Sequence, residues 1–248
     1  MGRYYTQNLM KYLDLTFPSP EENLACDETL LELCEEDSGE EILRFWEPSD
    51  YFIVLGYSGK VREEINLPAC EKEKVKILRR PSGGGTVLQG HGCLNFGLIL
   101  KVDTSKSLKN ITQTNQYVLS RNQSALAPFL DSKIEIQGLS DLACGTFKFS
   151  GNAQRRKRGW ILFQGTFLLD FDVSQMERFL TNPLKQPAYR KGRSHTDFLK
   201  NLNLPSRIVK DALRASWKAN EVLGTIPNQK ISELAKTRYA DRAWNFKF

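Results

Sequence analysis

The sequence predicts an α+β fold, and three observations predict it. Strand-like and helix-like segments alternate irregularly, without the regular strand–helix–strand rhythm of a doubly wound sheet. Two apolar runs flank a triple glycine, so one strand enters that loop and another leaves it. After about residue 173 strand signals give way to helical ones. One domain over residues 1–248, with a small helical C-terminal portion from about residue 173, is the economical organisation at this length.

Taken in order, Lys11 to Phe17 reads as a short strand stopped by Pro18 and Pro20, because proline fixes φ and has no N–H to donate. Ser19 then caps a helix with Pro20 at its first position and Glu21 and Glu22 in its first turn. Leu24, Leu30, Leu31 and Cys34 give that helix an apolar stripe to roughly residue 35. Ile42 to Trp46 and Tyr51 to Leu55 are strands joined by Glu47-Pro48-Ser49-Asp50, and Gly56 and Gly59 mark the next turn. A short helix covers about Arg62 to Glu73. Val75 to Arg79 leads into the glycine loop and Cys93 to Leu100 leads out of it. Residues 105–130 read as helical and Ile134 to Ile136 as a short strand. Thr146 to Phe149 and Trp160 to Phe163 read as neighbouring strands around one long turn holding Ser150-Gly151-Asn152 and Arg155-Arg156-Lys157-Arg158. Gly165 to Asp170 continues the sheet, and helices follow near 173–180, 205–220 and 228–238.

Composition narrows the function classes. With 40% hydrophobic and 26% charged residues the chain is globular rather than disordered. No apolar run reaches the roughly 18 to 20 residues of a membrane span. The start, Met1 to Asn8, lacks the apolar centre of a secretory signal; Gly2 with Thr6 fits a loose acylation pattern, but no second membrane signal accompanies it. The five cysteines, Cys26, Cys34, Cys70, Cys93 and Cys144, are odd in number and widely spaced, which suits free thiols in a reducing cytoplasm. Neither His91 nor His195 sits in a metal-ligand cluster. A net charge of +6 favours an anionic partner: a nucleotide, a nucleic acid or an acidic protein.

Two segments carry the chemistry. In Arg79-Arg80-Pro81-Ser82-Gly83-Gly84-Gly85, three glycines allow backbone N–H groups to approach a phosphate or carboxylate, and two arginines add bidentate donors. No Gly-Lys-Ser follows and no Gly-x-Gly-x-x-Gly opens a helix, so this is neither a Walker loop nor a dinucleotide fingerprint. Lys148 lies between Phe147 and Phe149 and by period two points opposite to both, with the small residues Ser150 and Gly151 beside it. Each segment alone also suits a bland role: a flexible turn, and a lysine on the wet face of a sheet.

Together they resemble the lipoate–protein ligase family. Arg79 to Val87 with Gly92-Cys93-Leu94-Asn95-Phe96 resembles its glycine-rich segment. Phe147 to Gln154 resembles its lysine segment, Lys-x-Ser/Ala-Gly-x-Ala. Gln164-Gly165-Thr166-Phe167-Leu168-Leu169 resembles the strand that follows, and Glu22-Asn23-Leu24-Ala25-Cys26-Asp27-Glu28 the opening of the first helix. The resemblance spans about residues 10 to 200. It implies a biotin/lipoate ligase-like catalytic domain with largely antiparallel sheets. It implies that ATP, with Mg2+, activates lipoate or octanoate to an acyl-adenylate, and that a lysine of an acidic lipoyl-acceptor domain then takes the acyl group. Lys148 is then the catalytic lysine, stabilising charge as the carboxylate attacks phosphorus. Arg79, Arg80, Ser82, Gly83, Gly84, Gly85, Thr86, Val87, Leu88, Asn95, Asp141, Ser150, Gly151, Gln164 and Gly165 would line the nucleotide and adenylate site, Asp141 also standing near the metal.

The same fold hosts carrier-dependent octanoyl- and lipoyl-transferases, which use a cysteine nucleophile and no ATP. Their cysteine stands well upstream of the lysine, where this chain reads Gln137-Gly138-Leu139-Ser140-Asp141-Leu142; Cys144 is the one nearby candidate, at a spacing that suggests a turn. A non-catalytic lipoyl- or RNA-binding relative is the reading from another class. Long bacterial ligases carry an accessory domain for which this chain has no room, so the expectation is either a separate accessory protein or an activation step that needs none. The run Arg155 to Arg158 reads as a solvated turn or as a contact for the acidic acceptor; it lacks the interleaved aromatics of an RNA site, and nucleic acid is disfavoured. Arg193 to Asp197 reads as a helix cap, with His195 as a lesser acid–base candidate.

Overall fold

The computed structural model describes residues 10–37, 39–102, 108–183 and 185–248. The Gly2 and Thr6 pattern and the first residues of the helix expected from 105 lie outside them. In chain order the elements are β1 (Lys11–Asp14), α1 (Pro20–Asp37), β2 (Ile42–Trp46), β3 (Phe52–Leu55), α2 (Val61–Glu64), α3 (Leu67–Glu73), β4 (Lys76–Arg79), β5 (Val87–Gln89), β6 (Cys93–Lys101), α4 (Ile111–Leu126), β7 (Ile134–Gln137), β8 (Asp141–Cys144), β9 (Phe147–Arg156), β10 (Trp160–Leu168), α5 (Ser174–Phe179), α6 (His195–Phe198), α7 (Ser206–Trp217), β11 (Glu221–Val222), α8 (Asn228–Leu234), continued by a π-helical turn at Ala235–Tyr239, and α9 (Arg242–Asn245). Fold and sequence agree on class: mixed sheets with packed helices.

An eight-stranded sheet runs in the order β11-β1-β2-β6-β10-β9-β8-β7, and a three-stranded sheet in the order β4-β3-β5. In the large sheet only β11, β1 and β2 pair in parallel; the ladders from β2 to β7 are antiparallel. Alternation along the strands divides the core. One face sends Phe45, Phe96, Phe163 and Phe167 against α4 and α7. The opposite face sends Trp46, Ile99 and Leu162 against α1 and the C-terminal helices. The small sheet packs Ile53 and Leu55 with Cys70 of α3 and Phe179 of α5. The start of α1 is fixed by a Ser19 cap: its hydroxyl accepts from Glu22 N–H at 3.2 Å and donates to the Glu22 carboxylate at 2.7 Å.

Three expectations are corrected. The long turn after Phe149 does not form; β9 continues to Arg156 because its ladder with β10 runs to the pair Ile161–Arg156, so Ser150, Gly151 and Asn152 are strand residues. The helix expected over 62–73 breaks at Ile65 and Asn66, where the Asn66 side chain accepts from Ala69 N–H and starts a new helix. Asp141 to Cys144, which carries no strong strand signal, forms β8 between β7 and β9. Cys144 is therefore the end of a strand, not part of a turn.

Between Leu142 and Ala143 the pairing of β8 with β9 slips: Leu142 faces Ser150, whereas Ala143 faces Lys148. Phe149 is the extra residue. A bulge reverses the alternation of side chains beyond it. Without it, Phe149 would share a face with Gly151 and Lys148 would point into the core. With it, Phe149 is buried against Phe167 in the α4 and α7 core, and Lys148 stands on the same side as Gly151 and Asp141.

Candidate active site

On the α1 side of the large sheet, beneath the small sheet, lies a cavity of about 190 Å³. Its floor is a row of residues in register across five strands: Trp46, Asn95, Thr166, Gly151 and Asp141. Val54, Val87 and the glycine loop cover it, with Leu24 and Asp27 of α1 at the side. Lys148 occupies one end. Its Nζ is 2.9 Å from Asp141 Oδ1. Tyr189 donates its hydroxyl proton to Asp141 Oδ2 at 2.8 Å, and burial together with that carboxylate raises its pKa, so it stays a phenol. A Cβ on Gly151 would lie 2.8 Å from Lys148 Nζ. Glycine there lets the lysine lie flat over its own strand.

In the glycine loop one residue requires glycine on conformational grounds: Gly84, at φ +89°, with a Cβ position 2.9 Å from Arg80 Nη2. Around Gly83 and Gly85 the Cβ positions are open, so their backbone is accessible to a ligand. The loop is held from within by Arg80, which donates to the carbonyls of Val54, Gly83 and Gly85 and to Ser82 Oγ. Burial lowers its pKa to about 10, still protonated at neutral pH. Ser82 passes the chain on, donating to Gln164 Oε1 at 3.0 Å; Gln164 Nε2 donates to Asp27 Oδ2 at 3.0 Å; and Arg44 donates to Asp27 Oδ1 at 2.5 Å. The buried Arg44–Asp27 pair thereby orients the amide that anchors the loop. Asn95, Gln89 and Thr166 close a second network, a ring of three hydrogen bonds of 2.6–2.9 Å in the cavity floor. Two buried polar atoms of cavity-lining residues, Trp46 Nε1 and Asn152 Oδ1, have no hydrogen-bond partner among the described residues.

Of the residues singled out in the sequence, Arg80, Gly84, Gly85, Thr86, Val87, Asn95, Asp141, Lys148, Gly151, Gln164 and Gly165 line this one cavity. Others do not. Arg79 is fully buried and turned away, its guanidinium donating to the carbonyls of Gly56, Tyr57, Gly59, Trp244 and Asn245. Leu88 is in the core, Gly83 stands outside the lining, and Ser82 and Ser150 are buried behind it. Cys144 packs at the rim of the α4 and α7 core, and burial raises its thiol pKa, the opposite of what a nucleophile needs. His195 is buried and pushed down to about 4 by desolvation and by Arg190, behind a cap in which Ser194 Oγ accepts from Asp197 N–H. In the basic run, Arg156 donates to Thr114 and Leu108 and Lys157 pairs with Glu32, whereas Arg155 is exposed on the cavity side of β9. No group of three His, Cys, Asp or Glu suited to a metal occurs among the described residues, and both Asp141 oxygens are engaged, by Lys148 and by Tyr189. The sequence did not single out Trp46, Val54 and Gln89, which read as ordinary strand residues, and it showed Phe96, Asn152 and Thr166 within resembling segments without giving them a place at the site.

Fold and site together define a class of α+β domain in which a glycine-rich loop and a single lysine share one cavity. The chain belongs to the family described as the lipoyl protein ligase A/B catalytic domain, whose model matches residues 19–216. Its relatives fall into two groups. Lipoate-protein ligase LplJ of Bacillus subtilis is 28% identical over 92% of this chain and 70% of its own length. Probable lipoate-protein ligase A of Mycoplasma pneumoniae is 32% identical over 81% of this chain, which spans only 60% of that relative. Octanoyltransferase LipM of Geobacillus kaustophilus is 27% identical over 97% of this chain and 99% of its own length. Among solved structures, the bipartite lipoate protein ligase of Thermoplasma acidophilum superposes with a TM-score of 0.80 at 22% identity, covering 95% of each chain. A lipoate-protein ligase A bound with ATP gives 0.77 at 22% identity, over 95% of this chain and 98% of that one. At these identities the likeness is one of fold. No helix among the described residues is long and apolar enough to cross a membrane.

Proposed function

We propose that this protein is an ATP-dependent lipoate–protein ligase. The carboxylate oxygen of lipoate or octanoate attacks the α-phosphorus of ATP, pyrophosphate leaves, and an acyl-adenylate forms. A lysine amine of an acceptor domain then attacks the acyl carbon; the C–N bond forms, the C–O bond to phosphate breaks, and AMP departs. One observation favours this over the octanoyltransferase chemistry named among the relatives: all five cysteines are described, four are buried, and none lines the cavity that holds Lys148. An acyl-thioester route needs a thiol there; an adenylate route needs a fixed cation and backbone donors.

Residues in the cavity have matching tasks. The Lys148 ammonium neutralises charge growing between carboxylate and phosphate. Backbone N–H groups at Gly83, Gly84 and Gly85 would take phosphate oxygens, and Thr86 and Val87 border them. Leu24, Trp46 and Val54 give the acyl chain an apolar wall, worth about 0.8 kcal/mol per buried methylene. Mg2+ would arrive with the triphosphate. Incubation with ATP and lipoate, with pyrophosphate release followed and a lipoyl domain analysed by mass spectrometry, tests the reading. Acyl transfer from an acylated carrier protein without ATP, and no pyrophosphate release even with an accessory protein added, would sink it. Lys148→Ala is expected to lower adenylate formation on the order of 10²–10³-fold, with the fold intact.

A further inference from the structure

Two large side chains near the lysine end of the cavity have no folding reason to be where they are. Leu139 is 86% exposed, the most exposed large hydrophobic residue described. It sits in the β7–β8 turn, next to Ser140 and Asp141, which line the cavity. Ile111, at the first position of α4, is 59% exposed. The two belong to one surface. Asn115 of α4 donates to Leu139 O at 2.8 Å, and Gln154 of β9 donates to Asn115 Oδ1 at 2.6 Å and to Ile111 O at 3.1 Å. That polar clamp fixes both backbones while leaving both side chains in solvent. Beside Gln154, Arg155 points to the cavity side, and near Ile111 lies Lys109; both are exposed and neither forms an ion pair among the described residues.

We infer that Leu139 and Ile111 on the α4 side of the open β9 edge, with Lys109 beside Ile111 and Arg155 on the cavity side of the same edge, form the docking lip for the acceptor protein, an acidic domain that brings its target lysine to the cavity. The inference rests on the ligase reading for the identity of the occupant. Its support is positional and electrostatic. An amine that attacks an acyl carbon held at Lys148 must enter past the nearest edge of the cavity, and that edge is the Leu139–Asp141 turn with β9 beyond Gly151. β8 ends its pairing at the Asp141–Gly151 pair, so Asn152 to Arg156 have no strand neighbour on that side. Exposed apolar side chains beside unpaired cations are what an acidic partner with one apolar anchor would cover. Interface energy concentrates in a few such anchors.

Leu139→Glu and Ile111→Glu test the lip, since both side chains are already in water and neither belongs to the cavity lining. A purified acidic lipoyl domain with an unmodified lysine is the probe. Its affinity is measured directly by titration calorimetry, without turnover, and separately as the acceptor KM. Each variant is expected to weaken binding and raise the acceptor KM about tenfold, the equivalent of 1.4 kcal/mol. Pyrophosphate release from ATP and lipoate in the absence of acceptor should stay at the wild-type rate. Lys109→Glu should steepen neither but should slow association at low salt. Acceptor affinity within twofold of wild type in both glutamate variants, or no binding of the domain by the wild-type protein, would overturn the lip. Weakened binding with no pyrophosphate release from any form would leave the lip standing and remove the ligase reading instead.

Discussion

At the scale of single residues, the site depends on what is missing from Gly151. A side chain there would meet only the far end of the flexible Lys148, whose Nζ lies 2.8 Å from the Cβ position. Gly151→Ala is therefore expected to displace the lysine rather than to unfold the protein: adenylate formation falls at least about tenfold, or 1.4 kcal/mol in barrier, while the thermal midpoint barely moves. Parallel pyrophosphate assays and thermal melts check this, and a large loss of stability with normal activity would contradict it. Gly165 is different. Its Cβ would stand 2.0 Å from Asn152 Oδ1 and 2.3 Å from the Phe96 ring, which close over it from two sides. Both glycines were legible in the sequence as part of the lysine and Gln-Gly-Thr segments. Their separate reasons were not, because each depends on a neighbour from another strand.

At the scale of elements, the β8–β9 bulge decides which way Lys148 faces. Period two along β9 correctly opposes Lys148 to Phe149, but which of the two faces the cavity is set by one slipped pair, Ala143 with Lys148. Such slips have no sequence signature. The short helix α6 carries a pH signature. His195 is buried in it with a pKa lowered to about 4, so the folded state stays neutral where the unfolded chain, near 6.5, is protonated. Unfolded molecules then bind more protons between those values, and stability falls as pH drops from about 6.5 towards 4, by at most about 1.4 kcal/mol per pH unit. Urea midpoints measured against pH should show this slope in the wild type and lose most of it in His195→Gln. The basic run at 155–158 illustrates the same limit from sequence: its charges read as one patch, yet strand pairing and local partners split it into a bound Arg156, a paired Lys157 and an exposed Arg155.

At the scale of the whole molecule, residues far apart in the chain converge beneath the glycine loop. Arg79 N–H donates to Asn245 Oδ1 at 3.0 Å, the Arg79 side chain binds the carbonyls of Trp244 and Asn245, and Trp244 Nε1 returns a bond to Arg79 O at 2.9 Å. The same guanidinium holds Gly56, Tyr57 and Gly59, and Tyr57 N–H donates to Ser82 O at 2.8 Å. The C-terminal turn is thereby linked to the loop through one buried cation. Asn245→Ala leaves a buried N–H unpaired and is expected to cost about 1–3 kcal/mol. Urea unfolding measures that cost, and faster amide exchange at Gly83 to Gly85 would report the loosened loop. Wild-type exchange rates there would disprove the linkage.

The sequence by itself determined the α+β class and most strand and helix positions, because hydrophobic period and proline and glycine placement are local properties; the pairing of the glycine loop with Lys148 came from the resemblance of both segments to one family. Only the tertiary structure decided that Arg79 is a rivet and not a ligand donor, that no cysteine reaches the cavity, that Trp46 and the Gln89–Asn95–Thr166 ring floor it, and that Lys148 faces inward. Each of those depends on which strands lie side by side and in which register. Register is fixed by burial summed over the whole sheet, not by the residues of any one strand.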